Sequence, residues 1–324
     1  MTRFDLAGPA HSGLFWSLYS RRDRMIADEL LNSDCVGRVT GNLLGEDGSV
    51  ARVKSGLQYV FIHPSWRAGW WWDNVLAVMR AWGREAYAPD GPGHGSRLHE
   101  IESVSLADYP RVYSEFIVER NLDRVVLVGN SIGGLMVQLT MQEIPERIVH
   151  SIWYMAFVLA DGECVFDACP PEFAHVPDVK DNRYAIPPLD IIRTRWMQTM
   201  TAEQQTADLE RWQPQPLRSH TDKADLKRFY SDPKVKAIPK SFINGVKDMT
   251  FDWEGRWAWD PRLSGRLENF TYAETPGSHC DFNSHPEELA AAVIDLAEYE
   301  YRGEAYAREQ LWRKSPRFVA VPSA

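Results

Sequence analysis

Short apolar runs recur through the middle of the chain, each closed by turn residues: LQYVFIH (57–63), REAYAPD (84–90), RVVLVGN (124–130), IVHSIWYMAFV (148–158) and PKSFINGVKD (239–248). Helical stretches lie between several of them. This alternation predicts a mainly parallel sheet covered by helices on both faces. One helix between the runs and one after them carry end signals. Ser105 with Asp108 resembles a capping box opening SLADYPRVYSEFIVERN, and Pro286 fits the first turn of a helix over SHPEELAAAVIDLAEYEYR. There proline loses no bond, and Glu287 and Glu288 meet the positive end of the helix dipole.

The pattern changes in three places. Residues 12–32 set Leu14, Leu18, Met25, Ile26, Leu30 and Leu31 at three- and four-residue steps, which predicts a helix. VGRVTGNLLGEDGSVARVK (36–54) reads as two strands around the turn Gly45-Glu46-Asp47-Gly48. Between about 161 and 237 the alternation stops in a proline-rich stretch holding Phe166, Phe173, Ile191, Ile192, Trp196, Met197, Met200 and Trp212, which predicts a helical insertion over the sheet. The expected division is an N-terminal helical extension (1–35), a core (36–160 and 238–302), a cap insertion (161–237) and a C-terminal tail (303–324).

Composition narrows the class of partner. Of 324 residues, 44% are hydrophobic and 25% charged, the usage of a folded protein rather than a disordered one. With 36 Lys and Arg against 45 Asp and Glu, the formal charge of −9 repels nucleic acid and anionic membrane on average, so a small-molecule substrate fits better. The first twenty residues hold no continuous apolar stretch, and IVHSIWYMAFVLA (148–160) is too short to cross a bilayer. The expectation is a soluble, cytoplasmic protein. Cys35, Cys164, Cys169 and Cys280 form no C-x-x-C, which favours free thiols over a Cys164–Cys169 bridge.

Candidate chemistry begins where one strand stops. Gly129-Asn130-Ser131-Ile132-Gly133 is a G-x-S-x-G between an apolar run and a helical pattern, the context of a strained turn that lifts a serine hydroxyl above a sheet edge. A phosphate-binding loop would need G-x-G-x-x-G or G-K-[ST], and neither is present. A serine needs a base and a group to orient that base, and in this setting the acid and then the histidine follow it in the chain. His279, in the small-residue loop of TPGSHCDFNSHPEEL, is the candidate base. His150 reads as a core histidine and His285 as a surface or capping one. Asp248, ending PKSFINGVKD, is the favoured acid, with Asp252, Glu254 and Asp161 as rivals. The oxyanion hole needs two backbone N–H groups. One is that of Ile132; the other comes from HPSWRAGWWWDNVL, where Pro64 has none, which leaves Ser65 or a later residue, and Ser65 is taken.

Four segments together, VFIHPSWRAGWWWDNV, APDGPGHGSR, VVLVGNSIGG and GSHCDFNSHPEEL, resemble the α/β-hydrolase superfamily. Within it the chain is similar to the branch of plant methyl-salicylate-type esterases, hydroxynitrile lyases and bacterial esterase relatives. WQPQPLRSHTD echoes the Pro-x-Pro-Leu near the end of that branch's cap, and the resemblance covers roughly 57–300. It implies an α/β-hydrolase fold, a mostly parallel central sheet flanked by helices with a helical cap insertion. It also implies Ser131 as nucleophile, Asp248 and His279 as its partners, and Ser65 with Ile132 at the oxyanion hole. No metal or organic cofactor is required.

The expected activity is cleavage of a carboxylic ester of a small apolar or aromatic substrate through an acyl-enzyme, with Trp66, Asn130, Phe157, Trp196 and Trp212 as candidate substrate contacts. There are departures from the branch. His63-Pro64 replaces His-Gly. Asn130 stands where a histidine is common, as in the G-N-S-M-G-G of carbon–carbon bond hydrolases, which keeps such a hydrolase, or a lactonase, as the alternative. Plant lyases carry a threonine after the loop histidine and a lysine after the catalytic one; Pro64 and Cys280 stand there, which weighs against lyase chemistry. A non-catalytic ligand receptor on the same scaffold is the rival from another class. Residues 1–35 and 303–324 have no counterpart in the branch and either pack against the core or build a homo-oligomer contact.

Overall fold

A computed structural model describes residues 42–44, 50–53, 56–169, 181–251 and 259–300. In chain order, β1 (Asn42–Leu44) and β2 (Val50–Val53) pair as an antiparallel hairpin, as the turn signal predicts. Then follow β3 (Gln58–Ile62), α1 (Asp73–Ala81), β4 (Glu85–Tyr87), α2 (Asp108–Glu119), β5 (Val125–Ser131), α3 (Gly133–Glu143) and β6 (Ile148–Ala156). An excursion between β6 and β9 holds β7 (Arg183–Tyr184), α4 (Ala202–Leu209), β8 (Gln215–Pro216) and α5 (Arg218–Thr221). The chain re-enters the sheet with β9 (Lys240–Gly245) and β10 (Phe270–Thr275), and continues into α6 (Pro286–Glu298) and β11 (Tyr299–Glu300). The expected helix over 12–32, Phe173 and the tail 303–324 lie outside the described residues.

The central sheet has the order β10-β9-β6-β5-β3-β4 and every neighbouring pair is parallel. β11 pairs antiparallel with β2, so a small second sheet forms apart from the first. Each of the five apolar runs contributes a strand, and the segment ENFTYAE supplies the sixth.

Alternation along each strand divides the core in two. Val60, Ile62, Val125, Leu127, Trp153 and Phe242 pack with Tyr113 and Ile117 of α2 and Leu135 and Leu139 of α3. Tyr59, Phe61, Val126, Val128, Ile152 and Ile243 face the other way, against Val75 and Met79 of α1 and Leu289 and Val293 of α6. Runs that are apolar at both odd and even positions are what a sheet covered on both faces demands.

One end signal differs from expectation. α2 begins at Asp108 rather than just after Ser105, and only half of a capping box forms. Asp108 Oδ2 accepts both the Ser105 N–H at 2.9 Å and the Ser105 hydroxyl at 2.8 Å, so that hydroxyl has no proton left for another acceptor and caps no helix N–H. A tight turn, Asp108 N–H to Ser105 carbonyl at 3.2 Å, occupies the intervening residues.

Because β3, β5, β9 and β10 run parallel, the loops that follow them leave one edge of the sheet. Those loops carry residues 63–68, Ser131 with Ile132, Asp248 and His279.

Candidate active site

Ser131 ends β5 in the left-handed region, at φ +55°. A non-glycine residue there is strained, by about 1–3 kcal/mol, and stays only where its surroundings over-determine it. The flanking glycines explain how. A Cβ on Gly129 would stand 2.4 Å from the Gly133 carbonyl oxygen, and one on Gly134 would stand 2.4 Å from that of Phe157. A Cβ on Gly133 would stand 2.7 Å from the Ile62 carbonyl oxygen. Strand, turn and helix therefore close to distances that only hydrogen at Cα permits. The Ser131 carbonyl accepts the Phe157 N–H at 3.0 Å, while its hydroxyl is bonded to no described residue. The Ile132 N–H, just ahead of α3, is likewise unengaged among the described residues, at the positive end of that helix.

Asp248 and His279 come together from the loops after β9 and β10, both buried, with Nδ1 3.2 Å from Oδ1. This is ion-pair distance without hydrogen-bond alignment, and Asp248 Oδ2 has no partner among the described residues. Oδ1 also accepts the Thr250 N–H at 2.8 Å, which ties the carboxylate to its own loop. The imidazole lies 6.0 Å from the Phe251 ring and 6.1 Å from Trp196. Phe251 in turn meets Phe157 at 4.8 Å, and Phe157 is the residue whose N–H binds the Ser131 carbonyl. One aromatic wall thus links the serine turn to the histidine.

The rivals are accounted for in part. Asp161 is occupied, its carboxylate accepting the Leu226 N–H at 2.8 Å. Asp252 and Glu254 lie outside the described residues. His150 is buried in β6 with Nε2 2.8 Å from Ser241 Oγ, as a core histidine should be. His285 is part-exposed, 3.8 Å from both Asp281 and Glu288.

The loop after β3 is held almost entirely by side chains. His63 Nε2 accepts the Gly91 N–H at 3.0 Å, so the ring proton sits on Nδ1 and is donated to the Pro64 carbonyl at 2.9 Å. Burial pushes His63 down to about 4, which suits a ring whose second nitrogen must accept. Ser65 is buried with Oγ 3.1 Å from His220 Nε2, and its N–H is unengaged among the described residues. Trp66 is at φ +61°, a second left-handed residue and a bulky one. Its N–H is taken by Gln215 Oε1 at 2.9 Å, its carbonyl by Gln213 N–H at 2.8 Å and its indole N–H by the Ala185 carbonyl at 3.1 Å.

Three of the expected substrate contacts are enclosed by protein. Asn130 is wholly enclosed; its amide donates to the Tyr154 carbonyl at 2.9 Å and braces β5 against β6, while its Oδ1 has no partner among the described residues. Trp66 and Trp212 are buried and stacked at 6.2 Å in the seam between the excursion and the β3 loop. Trp196 stacks on both but is only part-buried, and Phe157 is buried in the wall beside Phe251.

Sequence reasoning missed Gln215, His220 and Arg67. The Arg67 guanidinium is sandwiched 4.0 Å from the Trp71 ring and 3.7 Å from that of Trp212, with Nη2 2.9 Å from Cys280 Sγ. Cys280 is buried, and burial pushes its thiol up to about 12. Cys164, Cys169 and Cys280 are all free. Among the described residues no group of three or more His, Cys, Asp or Glu could hold a metal, and no helix is long and apolar enough to cross a membrane. An open surface cleft of about 610 Å³ beside β4, lined by Trp70, Asp73, Arg80 and Asp90 among others, includes none of the candidate catalytic residues.

Comparison with known proteins places this geometry in a lineage. Salicylic acid-binding protein 2 of Nicotiana tabacum is 31% identical over 108 residues, covering 33% of this chain and 42% of that protein. A carbendazim hydrolyzing esterase of Nocardioides sp. (strain SG-4G) is 31% identical over 119 residues, 35% of this chain and 49% of its own. The matches thus span less than half the length of these curated relatives. The solved structure of an extracellular alpha/beta-hydrolase from a Paenibacillus species superposes with a TM-score of 0.69 at 27% identity, over 75% of this chain and 99% of that one. A methylesterase from Arabidopsis shares the fold, with a TM-score of 0.61 at 21% identity over 74% of this chain and 98% of that one. Residues 59–292 match the alpha/beta hydrolase family, and the chain belongs to it.

Proposed function

We propose that the protein is a serine hydrolase that cleaves carboxylic esters of small, apolar or aromatic molecules through an acyl-enzyme. The observation that carries this reading is a serine in a strained left-handed turn at the same sheet edge as a buried His279–Asp248 pair. Asp248 keeps the imidazole proton on Nδ1, which leaves Nε2 as the base. Ser131 Oγ attacks the ester carbonyl as Nε2 takes its proton, and the charge growing on the carbonyl oxygen falls to the N–H groups of Ile132 and Ser65. His279 then returns the proton to the leaving alcohol, and a water activated by the same nitrogen releases the acid.

In this reading the excursion between β6 and β9 is the cap. Trp196, 6.1 Å from the imidazole, is the side chain best placed to meet the substrate. The name of one relative, a carbendazim hydrolyzing esterase, supports ester hydrolysis of a small molecule. The carbon–carbon hydrolase or lactonase alternative rested on Asn130, whose amide N–H is taken by the Tyr154 carbonyl while its Oδ1 has no partner among the described residues. Mapping the adduct of a fluorophosphonate tests the nucleophile directly: labelling at Ser131 is expected, and a labelled protein with Ser131 unmodified would overturn the assignment. A panel of short-chain, aryl and methyl esters, run beside Ser131→Ala, reads the substrate class.

A further inference from the structure

A buried chain of polar side chains runs from β8 and α5 to the loop after β3, and counting its protons fixes every direction in it. Ser219 Oγ lies 2.6 Å from the Pro216 carbonyl, to which it must donate. A hydroxyl has one proton, so Ser219 accepts from Gln215 Nε2 at 2.8 Å and from His220 Nδ1 at 2.9 Å. The His220 proton is therefore on Nδ1, and Nε2 accepts the Ser65 hydroxyl at 3.1 Å. Gln215, with its amide nitrogen turned to Ser219 and to Tyr109, presents Oε1 to the Trp66 N–H at 2.9 Å.

The result is a peptide gripped at both polar atoms. Between Ser65 and Trp66 the N–H is bound by Gln215, and the Ser65 carbonyl accepts Arg67 Nη1 at 3.2 Å. The peptide before it is held only at its oxygen, by His63 Nδ1 at 2.9 Å, and its N–H, that of Ser65, is left unengaged among the described residues. The Ser65 hydroxyl is spent on His220, so this residue can offer a substrate only its backbone donor. Burial holds His220 at about 3, which keeps Nε2 an acceptor through the neutral range.

We propose that His220 and Gln215 are positioning residues for the oxyanion hole, which lock the β3 loop from the excursion so that the Ser65 N–H is the donor left for the transition state. The proposal rests on the esterase reading. Neither residue touches the substrate. A loop free to turn would still admit an ester but would stabilise its oxyanion less, so the loss should fall on kcat and not on KM.

The test uses Ser65→Ala, His220→Leu, their combination and His220→Gln, with p-nitrophenyl acetate as substrate. Trifluoroacetophenone, which forms a tetrahedral adduct, and acetophenone, which does not, serve as paired inhibitors. Ser65→Ala deletes one oxygen and keeps the backbone donor, so it stays informative even if His220→Leu fails to fold. Ser65→Ala and His220→Leu are each expected to lower kcat about tenfold to a hundredfold with KM within about twofold, and to weaken trifluoroacetophenone in proportion while acetophenone is unaffected. The double variant should be no worse than the poorer single one, and His220→Gln, whose Oε1 can accept from Ser65, should recover most of the loss. Full activity in Ser65→Ala, a loss confined to KM, or a His220→Gln as poor as His220→Leu would overturn the proposal. Fluorophosphonate labelling of the unmodified protein separates the two levels. Labelling that misses Ser131 removes the esterase reading and this proposal with it, whereas labelling at Ser131 with undiminished variants removes this proposal alone.

Discussion

Two neighbouring strands end in the same unusual way and are held by opposite means. Ser131 after β5 and Trp66 after β3 both take left-handed backbone, at φ +55° and +61°. The first turn is made locally: Gly129, Gly133 and Gly134 let strand, turn and helix approach to distances a Cβ would block. The second has no glycine at the strained position and uses the bulkiest of side chains. Its restraint arrives from elsewhere, since Gln215, which binds the Trp66 N–H, is 149 residues away in the chain. One half of the site is written into six consecutive residues, and the other exists only once the excursion has docked.

The largest effects should come from breaking the local turn. Ser131→Ala is expected to remove ester turnover by about 10⁶-fold in kcat with the fold intact, checked by steady-state kinetics and circular dichroism. Gly134→Ala should fail in a different way. Its Cβ would meet the Phe157 carbonyl oxygen at 2.4 Å and Trp153 Cδ1 at 2.6 Å, so a loss above about 4 kcal/mol, read by urea unfolding, is expected. If Gly134→Ala unfolds like the parent, the turn is not held by close approach and the contrast between the two turns dissolves.

Next in size is the acid. Asp248→Asn should lower kcat by about 10²–10⁴-fold while leaving Ser131 in place, because it removes the group that orients His279 Nδ1. Asp252→Asn should do far less; a reversal of the two would move the acid to Asp252.

What could be read from the sequence follows the same division. Strands buried on both faces announce themselves as apolar runs, and G-x-S-x-G is legible because its constraint is local. His279 and Asp248 were legible as strand-end loop residues in the right chain order. The bracing role of Asn130 was not legible, because a polar residue beside the nucleophile suggests a ligand and only the fold shows its amide on the Tyr154 carbonyl. The mutual stacking of Trp66 and Trp212 was not legible, because an aromatic residue reads the same whether it lines a pocket or seals a seam. Gln215 and His220 lie in WQPQPLRSHTD, whose Pro-x-Pro-Leu was legible, but nothing in that segment marked their side chains as partners of the β3 loop. They sit in a proline-rich excursion without a period, and their importance lies in which backbone atoms they reach.

Smaller effects should follow from loosening the second turn. Gln215→Leu leaves the Trp66 N–H buried without an acceptor and should cost about 1–3 kcal/mol of stability by urea unfolding. Trp66→Gly relieves the backbone but gives up the stacking on Trp196 and Trp212, and should also destabilise. A stabilised Trp66→Gly would show that strain outweighs packing at that position, and would make the two turns more alike than they look.

The subtlest difference is sensitivity to acid. The Trp66 side of the site contains three buried histidines, with His63 held at about 4 and His220 at about 3 by burial, and His94 held well below 6.5 by burial and by the neighbouring His63. Each is neutral in the fold, and each regains a pKa near 6.5 when the chain unfolds, so below that value the unfolded chain binds protons that the fold refuses. Their stabilising contribution is complete above about 6.5 and falls as the pH drops, through about 4 for His63 and about 3 for His220. Between about pH 7 and pH 5, His63 alone should account for a loss of about 2 kcal/mol. Carboxylates titrate in the same range, but they are common to the parent and to His63→Gln and cancel in the difference. Urea unfolding of both proteins at the two pH values should therefore show the parent losing more stability than the variant. Equal losses would mean that His63 is not held neutral, and that the loop after β3 is secured by something other than the proton inventory that assigns Nδ1–H to the Pro64 carbonyl.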